Sequence, residues 1–443
     1  MKSEPDTVCA LATPPGIGSI AVIRLSGPRT FDILDQITRG MKPSRQPSGT
    51  VRLGWVEDSN RREIDHVMIS VFRTPKSYTG EDLAEISCHG NQLIADTIIK
   101  LLRQHGCRLA EPGEFTRRAV LAGKLTLSQA EAVLDLIHAQ TTAALRSALN
   151  RYEGGISKLV TQLAEELRNL VADAEYQLGF DEPDTQPLNL AKRVKQLTRK
   201  LDRIITRGKQ NQYVYKGAEV AIVGRPNVGK SSLFNRLLGQ KRAVVTPAPG
   251  TTRDRIDASI VLGDAQIKLT DTGGITGRSA GTISRPAAAQ TCKAIEQSDL
   301  VLMVFDGSRP AASADQEVFK ATSRHRVIYI INKSDKPRRF EPDFLNGNPG
   351  IAVSALTGTG IGRLRSMIAR RFRLNLGTVV TSTRHLELLE ECRTALNHSR
   401  KAPDAETSAF ELKAALDALG KIDAPCTSTD ILNRVFSRFC VGK

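Results

Sequence analysis

The stretch Gly224-Arg225-Pro226-Asn227-Val228-Gly229-Lys230-Ser231-Ser232 decides the fold of the second half of this 443-residue chain. It matches GxxxxGK[ST]. The apolar run Glu219–Val223 before it reads as a strand, and Ser231–Leu238 after it opens a helix. In that setting the glycines let backbone N–H groups wrap phosphates. Lys230 reaches the β and γ phosphates, and the Ser231 hydroxyl suits Mg²⁺. An ordinary glycine turn also gives such a match, but it does not need a strand before it and a helix after it.

Further motifs follow in order. Gly250-Thr251-Thr252-Arg253-Asp254 falls where a first switch loop belongs, with Thr252 the expected Mg²⁺ ligand. Asp271-Thr272-Gly273-Gly274 ends the strand Gln266–Thr270. Its aspartate suits an outer-shell Mg²⁺ role, and the Gly274 amide suits the γ-phosphate. After the apolar strands Leu300–Phe305 and Val327–Ile331 comes Asn332-Lys333-Ser334-Asp335. Asp335 can accept from both guanine N1–H and N2–H₂, which adenine cannot reciprocate. Ser354-Ala355-Leu356 follows Ile351–Val353, where a backbone amide meets guanine O6. Each motif alone is a plain polar loop. Together, each at a strand end, they predict a Ras-like P-loop G domain with a doubly wound sheet over residues 217–376. GTP and Mg²⁺ are its expected ligands. Asn227, Val228, Gly229, Ser232, Thr246, Gly250, Thr251, Thr272 and Gly273 complete the expected nucleotide-contacting set.

Outward from this block, residues 1–119 read as a mixed α/β domain. Thr7–Ala12 and Ser19–Leu25 are predicted strands around a turn at Thr13-Pro14-Pro15-Gly16. Ile64–Phe72 is a third strand and Asn91–Gln104 an apolar-faced helix. Residues 120–216 and 377–443 read as helical. Ser128-Gln129-Ala130-Glu131 has a capping-box pattern, with Leu134, Ile137 and Thr141 continuing one face. Leu159, Leu163, Leu167, Leu170, Ala174 and Leu178 recur at helical steps, and Leu190, Val194, Leu197, Leu201 and Ile204 mark another helix. That second helix is rich in Lys and Arg on its outer side. Arg207–Lys216 reads as a linker. Leu386, Leu389 and Leu396, then Leu412, Leu416 and Leu419, mark helices beyond the G domain. Helices on both sides of an α/β block suggest a G domain inserted into one helical bundle.

Lys and Arg outnumber Asp and Glu 63 to 47, a net charge of +16. An excess of this size favours an anionic macromolecular partner such as RNA. No uninterrupted apolar stretch approaches the roughly 20 residues that span a bilayer. The start lacks a signal peptide's apolar core. Seven cysteines show no CxxC pair. A cytoplasmic protein without a membrane partner is the natural reading.

Thr13-Pro14-Pro15-Gly16, Ala21–Gly27 with Arg24, Tyr78-Thr79-Gly80-Glu81-Asp82, Glu111-Pro112-Gly113-Glu114-Phe115-Thr116-Arg117-Arg118-Ala119 and the terminal Phe439-Cys440-Val441-Gly442-Lys443 resemble the MnmE (TrmE) family. These are tRNA-modification GTPases, and the resemblance covers nearly the whole chain. It implies an N-terminal folate-binding α+β domain that forms a homodimer, a helical domain and the inserted G domain. It implies modification of carbon 5 of the wobble uridine in tRNA, in a heterotetramer with an FAD-dependent MnmG-type partner. Arg24, Glu85, Lys124 and Lys443 would contact 5-formyltetrahydrofolate or 5,10-methylenetetrahydrofolate. Cations suit the folate's glutamate tail, and Glu85 can accept from the pterin's N–H groups. Cys440 is a candidate catalytic thiol beside the Lys443 charge. A K⁺ ion is implied beside the phosphates, held by Asn227 with oxygens of Thr246, Ala248 and Thr251.

One departure from the family concerns hydrolysis. Ile275 stands where Ras-like enzymes place a water-orienting glutamine, and the family's switch glutamate aligns with Ser284. No carboxylate lies between Asp271 and Glu296, and Pro286 disturbs the helix that follows. Leu356 replaces a basic residue of the family. A regulatory G protein, or a folate-dependent transferase with weak GTPase activity, therefore stays open beside the tRNA-modifying reading.

Overall fold

A computed structural model of the chain describes residues 6–179, 190–213, 217–239, 256–271, 292–323, 325–341, 343–345, 347–372, 380, 382–423, 432, 435–437 and 439–443. The chain divides into two units. One takes residues 1–134, 151–184 and 402–443; the other takes 135–150 and 185–401.

In the first unit, apolar alternation builds a sheet. Along β5 (Glu63–Phe72) Val67, Ile69 and Val71 are fully buried while His66 and Met68 are exposed, the two-residue period of a strand with one covered face. The other strands are β1 (Val8–Leu11), β2 (Ile20–Ser26), β3 (Thr38–Arg39), β4 (Thr50–Glu57), β6 (Leu83–His89) and β7 (Arg108–Leu109). The sheet order is β3-β4-β5-β6-β2-β1-β7, antiparallel throughout except for the parallel pair β1–β7. The helices Thr30–Ile37 and Gln92–Gln104 close the buried face with Ile33, Leu34, Ile98 and Leu102. Asn91 proves to be the cap of the second helix, its side chain accepting from the Leu93 N–H at 2.8 Å.

The helix Leu127–His138 does start with a capping box, but not at Ser128. Thr126 Oγ1 accepts from the Gln129 N–H (3.2 Å) and Gln129 Oε1 accepts from the Thr126 N–H (2.9 Å). Ser128 is already inside the helix and buried, and its hydroxyl donates to the Ile422 carbonyl. Thr141 does not continue this helix either. The helix ends at His138, and the Thr141 hydroxyl accepts from the Ala144 N–H at 3.0 Å, at the start of the helix Thr142–Tyr152.

Two helix pairs are nested in the sequence around the G domain. Gly155–Gly179 packs on Ala405–Asp423 within the first unit, and Leu190–Asn211 on Thr383–Lys401 within the second. The expected linker Arg207–Lys216 begins five residues later than its polarity suggests. Residues 207–211 are helical because Gly208 lets the helix lie against Leu386 and Val380. Among the described residues no helix is long and apolar enough to cross a membrane.

The second unit holds the sheet β13-β12-β11-β8-β10-β9. Its strands are β8 (Ala218–Val223), β9 (Ile256–Leu262), β10 (Ala265–Asp271), β11 (Leu300–Asp306), β12 (Val327–Asn332) and β13 (Ile351–Ala352). Every neighbouring pair is parallel except β9–β10. β11 is buried at all seven positions, as a central parallel strand covered on both faces must be. This is the Ras-like doubly wound sheet that the motifs predict.

Thr126→Ala should cost about 1 kcal/mol of stability, the usual worth of a helix N-cap, whereas Thr126→Ser should stay near wild type. Urea unfolding followed by circular dichroism reads the difference; equal midpoints for wild type and Thr126→Ala would remove the cap from Thr126.

Candidate functional sites

Because β8, β11 and β12 run parallel, their C-terminal ends meet at one edge of the sheet. The P-loop leaves β8 there, and two of its glycines are dictated by space. A Cβ on Gly224 (φ 152°) would lie 2.4 Å from the Val304 carbonyl oxygen, and one on Gly229 (φ 95°) 2.3 Å from Asn332 Nδ2. Lys230 is buried at the start of the helix Lys230–Leu238, its Nζ donating to the carbonyls of Gly224 (2.9 Å) and Arg225 (3.0 Å). The third N–H of the ammonium is left for a phosphate oxygen. Burial pulls this ammonium below the usual lysine range, and the Asp271 carboxylate opposes the shift. Asp271, at the end of β10, is 1% exposed, and Ser231 stands exposed in the helix's first turn.

The base-recognition loops are tied to this edge. Asn332 Nδ2 donates to the Val228 carbonyl at 2.8 Å, and its Oδ1 accepts from the Ala355 N–H at 3.0 Å. Lys333 takes a left-handed backbone (φ 64°), uncommon for a long side chain. Its Nζ holds it there by donating to the Asn227 carbonyl (2.8 Å) and to Asp306 Oδ2 (2.6 Å). Burial works against the charge of Asp306, yet the Lys333 ammonium and the Ser308 hydroxyl keep its carboxyl below the usual range. Asp335 is exposed, with Oδ1 accepting from the Ser354 hydroxyl at 2.5 Å. That hydrogen bond holds the carboxyl below its ordinary range, so it is an anionic acceptor at neutral pH. Ser354 is fully buried, Ala355 nearly so, and Leu356 stands out at 74% exposure. Arg236 clamps this loop, donating to the carbonyls of Ala355 (2.9 Å) and Leu356.

Sequence reading thus identified Asn227, Val228, Gly229, Lys230, Ser231, Ser232, Asp271, Asn332, Lys333, Asp335, Ser354, Ala355 and Leu356, and all stand on this sheet edge or the loops that leave it. It missed Asp306 and Arg236. Asp306 carried a signal, being the one charge on the otherwise apolar run Leu300–Asp306. Arg236 carried none, because it acts through the helix's position. Thr246, Ala248, Gly250, Thr251, Thr252, Thr272, Gly273, Gly274, Ile275, Ser284 and Pro286 lie outside the described residues.

A second cluster gathers in the other unit. Arg24 and Glu85 are cross-strand partners on β2 and β6, and both Nε and Nη2 of Arg24 donate to Glu85 Oε1 at 2.9 and 2.7 Å. The guanidinium lies 5.6 Å from the ring centres of both Tyr78 and Phe115. Its Nη1 donates to the Gly442 carbonyl at 3.4 Å, so the chain's end comes to this pair. The Gly113 N–H donates to the Cys440 carbonyl (3.3 Å) and the Phe115 N–H to the Lys443 carbonyl (3.1 Å). Gly442 has φ 96°, and a Cβ there would meet the Leu11 carbonyl oxygen at 2.3 Å. Burial and the Arg24 charge push the Lys443 ammonium below its usual range, with Glu85 opposing. Cys440 and Lys124 are exposed, the stem of Lys124 running beside Gly80.

A family model for the MnmE helical domain matches residues 127–440, and one for the GTP-binding protein TrmE N-terminus matches residues 7–124. The chain is 36% identical to the tRNA modification GTPase MnmE of Lactiplantibacillus plantarum, over 100% of this chain and 99% of that protein. It is 39% identical to the MnmE of Moorella thermoacetica, over 99% of each chain. Among solved structures, the G domain of the Thermotoga maritima FeoB iron transporter aligns at 27% identity over 35% of this chain and 98% of that one, with a TM-score of 0.28.

Asp335→Asn should lower GTP affinity by about 10²-fold and raise affinity for xanthosine triphosphate, whose base offers an acceptor where guanine offers a donor. Nucleotide titration decides it: equal GTP affinity in wild type and variant would take guanine recognition away from Asp335.

Proposed function

The chain belongs to the MnmE family of tRNA modification GTPases, and from that premise we propose that it installs an aminomethyl-type group at carbon 5 of the wobble uridine in tRNA. It acts with an FAD-dependent MnmG-type partner in a heterotetramer, and a tetrahydrofolate supplies the one-carbon unit. A cytoplasmic setting belongs to the same reading. The observation that carries it is the seating of the chain terminus on the Arg24–Glu85 pair, beside the rings of Tyr78 and Phe115. Two cations and a carboxylate gathered there suit the anionic tail and the N–H donors of a reduced folate. Lys124, whose stem runs beside Gly80, would be a third cation for the same ligand.

On the nucleotide side, Lys230 holds the phosphates while Asp335 reads the base. Ser231 and Thr252 would hold Mg²⁺, with Asp271 behind them. The side-chain oxygen of Asn227, with Thr246, Ala248 and Thr251, would hold K⁺. Bound cations neutralise charge that develops on the γ-phosphate. The buried Lys230 and the oxygen donors of Ser231 and Asp271 fit hard cations and phosphate. The homodimer forms through the first unit, where Val51, Leu53 and Met68 expose large apolar side chains on β4 and β5.

Mass spectrometry of tRNA nucleosides tests the central proposal. A strain lacking this gene should lose the modified wobble uridine and regain it with the full-length protein, but not with a chain lacking Cys440–Lys443. The truncated protein should also lose 5-formyltetrahydrofolate binding in calorimetry while keeping GTP affinity. Unchanged tRNA in the deletion strain would overturn the reaction; undiminished folate binding would overturn the role of the terminus.

Hydrolysis should be slow. The residues that usually orient the attacking water are replaced in this sequence, since Ile275 cannot hydrogen-bond and Ser284 is shorter and neutral. A positioned acid–base group is worth about 10²–10⁴-fold in rate. Single-turnover assays should show K⁺ stimulation over Na⁺ and a clear gain for Ser284→Glu, with GTP affinity near normal. Fast wild-type turnover, insensitive to that substitution, would place the water under another group.

A further inference from the structure

We propose that the outer face of the helix Leu190–Asn211 is a docking surface for the phosphate backbone of RNA. The inference rests on tRNA being the substrate and adds where the protein holds it. This helix carries eight Lys or Arg residues and a single acid, Asp202. Val194, Leu197, Leu201, Ile205 and Gly208 are its buried face, set against Thr383–Lys401. Lys192, Lys195, Arg199, Arg203 and Arg207 are exposed on the opposite side. At 100° per residue they fall within an arc of about 120°, and over the fifteen residue steps from Lys192 to Arg207 they form a ridge about 22 Å long. Successive charges rise by about 4.5–6 Å, comparable to the separation of neighbouring phosphates on one strand.

None of these five cations makes an ion pair among the described residues. Asp202 is turned to Arg393 at 3.3 Å, and Lys209, off the ridge, takes Glu390 at 2.5 Å. Those two contacts also fix an antiparallel register, which sets the exposed Arg400 and Lys401 level with the stretch from Lys195 to Arg199. Glu387 and Glu391 stand level with the Arg207 end. Positive potential is therefore densest from Lys192 to Arg199.

The rest of the ridge decides what it fits. Between the cations lie Gln196, Thr206 and Gln210, all exposed and polar. A helix lying on a membrane needs its apolar face free, and here that face is buried. No aromatic ring stands among the cations to stack on bases, so the contact is to phosphates and carries position rather than sequence.

The test is filter binding of a tRNA transcript to the full-length protein across a salt series. Replacing Lys192, Lys195 and Arg199 together by Gln should weaken binding at least 10-fold at about 0.1 M salt. It should also flatten the log–log salt slope by about 2–3, the loss of three phosphate contacts. Unchanged GTP affinity verifies the fold. A control with the same charge loss elsewhere, Lys76→Gln with Lys100→Gln and Lys158→Gln, should bind like wild type. Equal affinity and slope in the ridge variant, or equal losses in the control, would overturn the surface and leave the tRNA reading intact. A wild-type protein that binds no tRNA would overturn both, and one that binds phosphatidylserine vesicles instead would make the ridge a membrane contact.

Discussion

The nucleotide-site architecture hangs on one side chain. Asn332 is 2% exposed, and both ends of its amide are committed to backbone, the donor to Val228 in the P-loop and the acceptor to Ala355 in the base-binding loop. Three loops from three strands are held by two hydrogen bonds in a site that excludes water. There each bond is hard to replace, because an unpaired buried amide costs about 1–3 kcal/mol. The tight approach explains why position 229 must be glycine: any Cβ would occupy the space of the Asn332 Nδ2. Lys333, strained into a left-handed backbone, completes the tie by bridging Asn227 and Asp306. The phosphate loop and the guanine loops are therefore held to one another by the protein's own side chains, an arrangement that lowers the ordering cost of binding.

The other unit solves a similar problem with the chain terminus. The last residues have no sheet or helix of their own, so their backbone groups need partners elsewhere. They find them at Gly113 and Phe115 and at the Arg24 guanidinium. The terminus thereby brings a cation, Lys443, to a pair that already contains Arg24 and Glu85. The depressed affinity of Lys443 for its proton reflects first its partial burial and then the Arg24 charge beside it, with the Glu85 carboxylate opposing both. An anionic ligand would oppose them further.

The charge excess is distributed with purpose in the helix pair Leu190–Asn211 and Thr383–Lys401. Its few carboxylates near the seam are used in ion pairs that set the register, leaving the outer ridge uniformly positive. Exposed pairs of that kind add little stability, about 0–1 kcal/mol each. Their effect is on alignment and on the field the helix presents.

The sequence alone determined the G domain, because its motifs are short backbone-and-side-chain units whose chemistry is local. A P-loop is a glycine pattern between a strand and a helix, and Asp335 is legible as a guanine acceptor from its place after an apolar strand. Helical and strand periods were legible for the same reason, since burial on one face repeats with the backbone's own geometry. Local reading failed where two nearby patterns competed, as at Thr126 and Ser128. Both begin a run of the capping-box type, and only burial of Ser128 beneath Ile422 selects the first. It also failed where polarity suggested a linker at Arg207, because the reason for helix there is Gly208 fitting against Leu386 and Val380, far along the chain. The roles of Asp306 and Arg236, the pairing of Arg24 with Glu85 and the seating of Lys443 were decided only by tertiary structure. Each depends on a distance between residues separated by 27 to 418 positions, and no periodicity or motif encodes a distance of that kind.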